Sequence, residues 1–201
     1  MPEMPAATRR ALLTGLIGAG GAVALVPTAA RAITPDAIPG ADGGVEAYLS
    51  IPDVPGESLR RDREGEIELL AWHWGLGAPE EETATRRGRR AEAMPLGIAA
   101  GTSSASPYLA RAVAQSRNLG DVRLDLVRNG AEGRAVTFSR AVFRNCVATS
   151  YESLPDPASG RAIDLAELTC TAVRYRVTSY DPKTGQPVQD HEFEWDLARG
   201  A

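Results

Sequence analysis

The sequence predicts a mainly β fold, a small antiparallel β-barrel of two sheets with one α-helix at its side. Most of the chain after residue 44 is predicted to form strands, from segments of β-favouring residues bounded by turns and, at 122–127, from the alternation of apolar and polar residues. Several of these segments are long, and closing long, bent strands into a barrel removes exposed sheet edges. Only the stretch beginning at Ser106-Pro107 has the apolar spacing of an amphipathic helix.

The composition fits one domain and excludes some classes of partner. A length of 201 residues is typical of a single domain. The formal net charge of −4 excludes a protein that holds nucleic acid by bulk charge, because such binding requires a basic surface. Two cysteines are too few for a four-ligand zinc site.

Residues 1–32 have the composition of an export signal. Arg9-Arg10 stand directly before an uncharged run at 11–30 that is rich in Leu, Ala and Gly. Paired arginines before an apolar run are typical of a twin-arginine signal peptide. The small-residue site Ala30-Arg31-Ala32 predicts cleavage between Ala32 and Ile33.

Cleavage leaves a linker at 33–44, which holds two prolines and three glycines, before the barrel domain at 45–201. The twin-arginine route carries folded proteins, so we expect the domain to work in the periplasm or outside the cell, where disulfides persist. No stable membrane anchor is expected, because glycines and Pro27 interrupt the run, whereas a stable span needs about 20 strongly apolar residues. An uncleaved anchor is the alternative.

The strand segments are separated by turns rich in Gly, Pro and Asn. Pro95 favours an edge position or a bulge for the third segment. The charged run at 79–90 is expected to be a solvated loop, with a contact between subunits as the alternative. The expected strands cover residues 45–51, 66–74, 91–101, 122–127, 134–151, 165–180 and 193–197.

The single helix has start and stop signals. Ser106 is expected to act as the N-cap, and Pro107 fits the first turn because its missing N–H has no helical partner there. The apolar stripe comprises Leu109, Ala112 and Val113. The helix is expected to end at Asn118-Leu119-Gly120.

The segment at 165–180 changes the parity of its apolar residues. Leu168 and Cys170 share one face, whereas Val173 and Tyr175 continue on the other. Because a strand has a period of two, we expect an extra residue, a β-bulge, near residues 171–172.

Cys146 and Cys170 are the candidates for a disulfide. If the segments 134–151 and 165–180 form an antiparallel hairpin centred on residue 158, the two cysteines face each other. The closed loop would then stabilise the fold by about 3 kcal/mol. The alternative is two buried free thiols, and the expected bulge could also shift the register and separate the sulfurs.

Five pieces of the chain, in order, resemble the Hcp (haemolysin-coregulated protein) family. They give an opening strand with a Gly-Glu-Ser turn, a Trp-containing second strand, a helix start, a late strand with its turn, and a closing strand. The pieces are Tyr48-Leu49-Ser50-Ile51 with Pro55-Gly56-Glu57-Ser58, the stretch 67–75, Ala105-Ser106-Pro107-Tyr108-Leu109, the stretch 173–187, and Trp195-Asp196-Leu197.

The resemblance implies a structural function. Members of the family form hexameric rings that stack into the inner tube of type VI secretion, and they carry or chaperone effectors. The resemblance therefore implies copies of this chain as its first partner, with effector cargo or other type VI components as further partners. It implies no catalytic residues. Where the family usually has an Asp two places before the Ala-Ser-Pro step, this chain has Ser103.

The residues themselves predict no catalytic, metal or cofactor site. His73 is interpreted as a barrel-wall or interface residue, since a lone His lacks the clustering that metals require. A hydrolase site at His191 has no Gly-x-Ser-x-Gly motif to present a nucleophile. Trp72, Trp74 and Trp195 are interpreted as core and interface anchors. The alternative function is a monomeric exported module that binds carbohydrate or an envelope protein through exposed tryptophans.

Overall fold

The computed structural model describes residues 44–77, 92–129, 135–156, 160–181 and 183–197. The predicted signal peptide at 1–32, its cleavage site at Ala32 and Ile33, and the linker up to residue 43 lie outside the described residues, as does the charged run at 79–90. The elements in chain order are β1 (Val45–Ser50), β2 (Ile67–Gly77), β3 (Glu92–Gly101), α1 (Ser106–Ala114), β4 (Asn118–Asn129), β5 (Ala135–Pro155), β6 (Ala162–Thr169), β7 (Ala172–Tyr180) and β8 (Pro187–Asp196).

The described strands form one antiparallel eight-stranded sheet in the order β4-β1-β2-β3-β6-β5-β7-β8. Because β4 also pairs with β5, six of these strands close on themselves as a small barrel. Strand β5 makes this possible through its 21 residues. Its first half pairs with β4 on one side and β7 on the other, and its second half pairs with β6. The prediction of a mainly β fold with one helix is confirmed.

The interior of the barrel is apolar and continuous with the buried face of α1. Leu109 and Ala112 of the helix are buried in the same cluster as the inward residues of the strands, and α1 lies against β5. Burial of such side chains supplies about 25 cal/mol per Å² of apolar surface removed from water, which is the main driving force for closing the barrel. The largest fully buried apolar side chains are Leu49, Leu96, Leu124, Leu168, Val122, Val127 and Val173.

The helix begins at Ser106 as expected, but two details of its ends differ from the prediction. Its N-cap is Ala105, which makes no side-chain capping bond. Ser106, the expected N-cap, is the first helical residue, and its hydroxyl donates to Asp164 on β6. The helix ends at Ala114, earlier than predicted. Ser116 has a φ of +48°, which turns the chain out of the helix, so Asn118 already begins β4.

The predicted bulge near residues 171–172 is wrong. The segment does break there, into β6 and β7, but Val147 pairs with Thr169 and Arg144 with Ala172, so the register against β5 is the same on both sides of the break. Strand β5 changes face at the same level, where Asn145 has a φ of +50°. The two neighbouring strands therefore kink together, and neither gains a residue relative to the other.

Pro95 agrees with expectation, whereas β8 departs from it. Pairing of β3 with β6 begins only at Leu96, so Pro95 lies beyond it and has no partner on that side. Pro95 lies where the pairing with β2 shifts register, which is the bulge that the sequence allowed. Strand β8 begins at Pro187, six residues before the expected start at 193. The prediction missed this first half because it is exposed on both faces and shows no apolar alternation.

Candidate functional site

A buried ionic cluster joins the loop at 55–66 to the barrel. The Asp125 side chain on β4 is 0% exposed, and it accepts hydrogen bonds from the Arg140 guanidinium at 2.6 Å and 3.0 Å. Arg63 of the loop donates to the second oxygen of Asp125 and to the hydroxyl of Thr137 on β5. The Arg123 guanidinium lies 3.3 Å from the same carboxylate. The cluster thus binds the loop to two strands of the barrel wall.

The arginines keep Asp125 ionised despite its burial. Removal from water disfavours the charged carboxylate and by itself raises the pKa of Asp125. The hydrogen bonds and charges of Arg140 and Arg63 outweigh this effect, and the pKa of Asp125 lies below its usual value. Both oxygens of the Asp125 carboxylate accept hydrogen bonds from guanidinium groups, so the cluster has a structural role and holds the loop to the barrel.

The base of the same loop is closed by backbone contacts. The Gly56 N–H donates to the Gly65 carbonyl at 2.8 Å, and the Ser58 N–H donates to the Glu66 carbonyl at 3.0 Å. A Cβ atom at Gly56 would lie 2.1 Å from the carbonyl of Glu66, so only glycine fits at this crossing. Leu59 in this loop is 93% exposed.

A second buried carboxylate holds the helix to β6. Asp164 accepts hydrogen bonds from the hydroxyls of Thr102, at 2.9 Å, and Ser106. Burial pushes the pKa of Asp164 up, but the hydroxyl hydrogen bonds, led by that of Ser106, hold it below the usual value. Because the Ser106 hydroxyl donates to this carboxylate, it is a structural group.

Cys146 and Cys170 lie beside each other at the shared kink. Their Cα atoms are 4.1 Å apart, and a disulfide joins the two sulfur atoms in the structure. The register of β5 against β6 and β7 places residue 146 opposite residue 170, which is the hairpin arrangement that the sequence suggested. Cys146 is fully buried.

The tryptophans do not form an exposed platform. All three pack against the apolar core and are partly buried. Trp74 makes edge-to-face contacts with Phe143 and Tyr175, at ring-centroid distances of 5.6 Å and 5.1 Å. Trp195 stacks on Phe193 at 6.0 Å. This arrangement agrees with their interpretation as core and interface anchors.

The two histidines lie apart on different strands. The imidazole of His73 lies on the backbone of Gly97, since a Cβ added there would be 1.9 Å from His73 Cε1. His191 is exposed on β8 opposite Val177, and within the described residues it makes no hydrogen bond to a serine. No group of three His, Cys, Asp or Glu among the described residues could hold a metal ion.

Strand β8 presents an open edge. Within the described residues it pairs with β7 alone, and every position from Pro187 to Glu194 is exposed. An unpaired strand edge is a ready template for a strand of another chain. Asp190, Glu192 and Glu194 alternate along it, and Glu194 binds Arg174 of β7 at 2.9 Å. In the part of the chain that is described, no helix is long and apolar enough to cross a membrane.

The sequence model of a family described as "Type VI secretion system effector, Hcp" matches residues 48–189. The chain belongs to the Hcp family. The match extends from the middle of β1 into β8, so it includes the closed barrel except for the first three residues of β1. No curated protein matches the chain.

Solved Hcp structures share this fold. A structure of a type six secretion system protein has a TM-score of 0.69 and 21% identity, covering 78% of this chain and 98% of that one. Hcp1 from Salmonella typhimurium has a TM-score of 0.60 and 16% identity, with coverages of 78% and 96%. Hcp1 from the E. coli EAEC 042 pathovar has a TM-score of 0.61 and 20% identity, with coverages of 76% and 98%.

The sequence identified the cysteines but missed the ionic cluster. The alternation of Arg123 and Asp125 with apolar neighbours on β4 marks them as one face of a strand, but nothing in this pattern indicates that the face is buried. Asp125 accepts a hydrogen bond from Arg63, which lies 62 residues away along the chain. Only the fold brings the two together.

Proposed function

We propose that this chain is a non-enzymatic structural subunit that is exported and associates with copies of itself into the hexameric ring and tube of the Hcp family. The family match over residues 48–189 carries this proposal. A ring subunit requires a rigid body and adhesive edges. The closed barrel, with its loop fastened by Asp125, supplies the first.

Two exposed surfaces support self-association. The unpaired edge of β8 offers backbone hydrogen-bonding groups, and Leu59 offers an apolar contact at the loop. Effector cargo and other type VI components are further partners in this proposal. The carboxylates that the fold buries are held by arginines and hydroxyls, which supports a structural function over an enzymatic one.

The proposed route of export is the twin-arginine pathway, with the mature protein in the periplasm or outside the cell. Arg9-Arg10, the uncharged run that follows and the site at Ala32 and Ile33 support this route. A subunit exported in this way folds before it crosses the membrane, and its ring then assembles from finished barrels.

The test is the mass of the exported protein in solution. The full chain is expressed with its leader and purified from the exported fraction. Light scattering during size-exclusion chromatography is expected to give six times the protomer mass, and N-terminal sequencing is expected to begin at Ile33. A monomer at high concentration would contradict the ring and favour the monomeric binding module. An intact leader on the exported protein would contradict cleavage.

A further inference from the structure

A polar cavity lies on the β5–β7 strand pair, away from the disulfide and the apolar core. It has a volume of about 460 Å³, including its open mouth. The side chains of its lining residues are two guanidinium groups and three hydroxyls, with no carboxylate among them. The lining residues are Thr137, Ser139, Arg140, Arg176 and Thr178.

The two arginines of the cavity are direct cross-strand neighbours. Arg140 on β5 pairs with Arg176 on β7. Like charges directly opposite each other on antiparallel strands are destabilising. Arg140 is compensated by Asp125, but the carboxylate nearest to Arg176 is that of Asp190, 3.7 Å away and without a hydrogen bond. The donor groups of the Arg176 guanidinium are therefore available to a ligand.

The surrounding charges and hydroxyls favour an anion. Arg63 lies behind the cavity and donates to the Thr137 hydroxyl, and its own charge is compensated by Asp125 and Glu66. The lining itself carries two guanidinium groups and no carboxylate, in a chain whose net charge is −4.

Two hydroxyl groups complete the lining. Ser139 is 4% exposed as a residue and contributes to the polar lining of the cavity. Thr178 donates to Asp190 at 2.6 Å, which holds this opposing carboxylate at the cavity wall.

We propose that this cavity binds a tetrahedral oxyanion, phosphate or sulfate, between Arg140 and Arg176. Guanidinium groups bind such anions through paired, charge-assisted hydrogen bonds. An anion placed between two opposed arginines replaces their repulsion by two attractions. A tetrahedral anion has more oxygens to offer the convergent donors than a carboxylate, so acetate should bind more weakly. The proposal does not depend on ring formation.

The test measures the melting temperature of the purified protein as phosphate replaces chloride at constant ionic strength. We expect a rise in Tm that follows the logarithm of phosphate concentration above the dissociation constant, and that reaches on the order of 3–5 °C at ten times this constant. Sulfate should act in the same way, and acetate at equal concentration should not. A rise that is linear in phosphate concentration, or no rise at all, would overturn the proposal, because salts also stabilise proteins non-specifically through exclusion from their surface.

Arg176→Gln is expected to abolish the logarithmic rise in Tm. In chloride alone its Tm should equal or exceed that of the unmodified protein, because the like-charge pair is gone. Arg174→Gln is the matched control, since Arg174 lies on the same strand and face but is bonded to Glu194 at 2.9 Å, and it should keep the phosphate response. Arg176→Lys keeps the charge but loses the paired N–H donors of the guanidinium, and it should weaken phosphate binding at least about five-fold. An undiminished rise in Arg176→Gln would refute the site.

Discussion

Asp125 is the residue on which the attachment of the loop to the barrel depends. The Asp125→Asn variant replaces a fully buried carboxylate that is bound by Arg63 and Arg140 with a neutral amide. Removing one partner leaves buried guanidinium charge without compensation, so the free energy of unfolding at pH 7 should fall by about 3–5 kcal/mol. Urea denaturation measures this loss. The control is Asp62→Asn, an exposed partner of Arg60 in the same loop, which should cost less than about 1 kcal/mol.

The same carboxylate should shape the acid stability of the protein. Its pKa is lower in the folded chain than in the unfolded one, so its stabilising effect is complete above the unfolded value of about 4 and is lost as the pH falls through the folded value. The unmodified protein should therefore lose stability steeply below about pH 4, and Asp125→Asn less steeply. The free energy of unfolding of both proteins can be measured by urea denaturation at several pH values. An equal loss of stability with falling pH in the two proteins would contradict a lowered pKa for Asp125.

The two cysteines give a prediction about covalent state. We expect intact mass measurements of the exported protein to show two hydrogens fewer than the reduced chain, because Cys146 and Cys170 are joined. The double variant Cys146→Ser, Cys170→Ser should lose about 3 kcal/mol, since the disulfide restricts the unfolded chain. Two alkylatable thiols in the exported, unreduced protein would end the proposal of a bond.

At the scale of elements, the β2–β3 pair depends on one missing side chain. The Gly97→Ala variant would place a methyl group 1.9 Å from His73 Cε1, so the imidazole must move or the strands must separate. We expect a loss of about 1–3 kcal/mol, typical of overpacking. Because the obstacle is a side chain, the double variant His73→Ala, Gly97→Ala should recover part of this loss, which a double-mutant cycle by urea denaturation would measure. If the losses of the two single variants simply add in the double variant, the contact between His73 and residue 97 is not the cause of the destabilisation.

The elements also show what sequence patterns can predict. Strand β4 was located by the alternation of apolar and polar residues at 122–127, although Asp125 on its polar face proved to be buried. The first half of β8 was missed because both of its faces are exposed and nothing selects its side chains. The bulge expected in one strand proved to be a kink shared with β5, since apolar parity in one segment carries no information about its neighbour. The disulfide pair could be proposed because a hairpin is local, whereas Arg63 and Asp125 meet only through tertiary closure.

At the scale of the whole molecule, self-association should depend on the open edge of β8. Val188 is 67% exposed on this strand, and Val188→Lys adds a charge of the kind that natural edge strands use to prevent pairing. We expect this variant to shift the mass measured by light scattering from the ring toward the monomer, with an unchanged Tm for the protomer. The matched control is Leu70→Lys, because Leu70 is 60% exposed on β2, a strand paired on both sides. Equal loss of association in both variants would exclude the edge as the specific contact.

We expect export and disulfide formation to be linked in this molecule, and the link can be tested within cells. If the twin-arginine route carries a folded barrel, Cys146 and Cys170 are already adjacent before export, and only the oxidising compartment allows their bond to persist. Replacing Arg9 and Arg10 by lysine keeps the charge of the leader but removes the paired arginines. We expect this variant to remain in the cytoplasm with its leader, folded and with both thiols alkylatable. The unmodified chain should appear in the exported fraction with the thiols blocked.

Export of the lysine variant in equal amount would show that another route carries the protein. An exported chain with free thiols would instead separate export from disulfide formation, because the hairpin at the β5 kink would then hold the two cysteines together by packing alone.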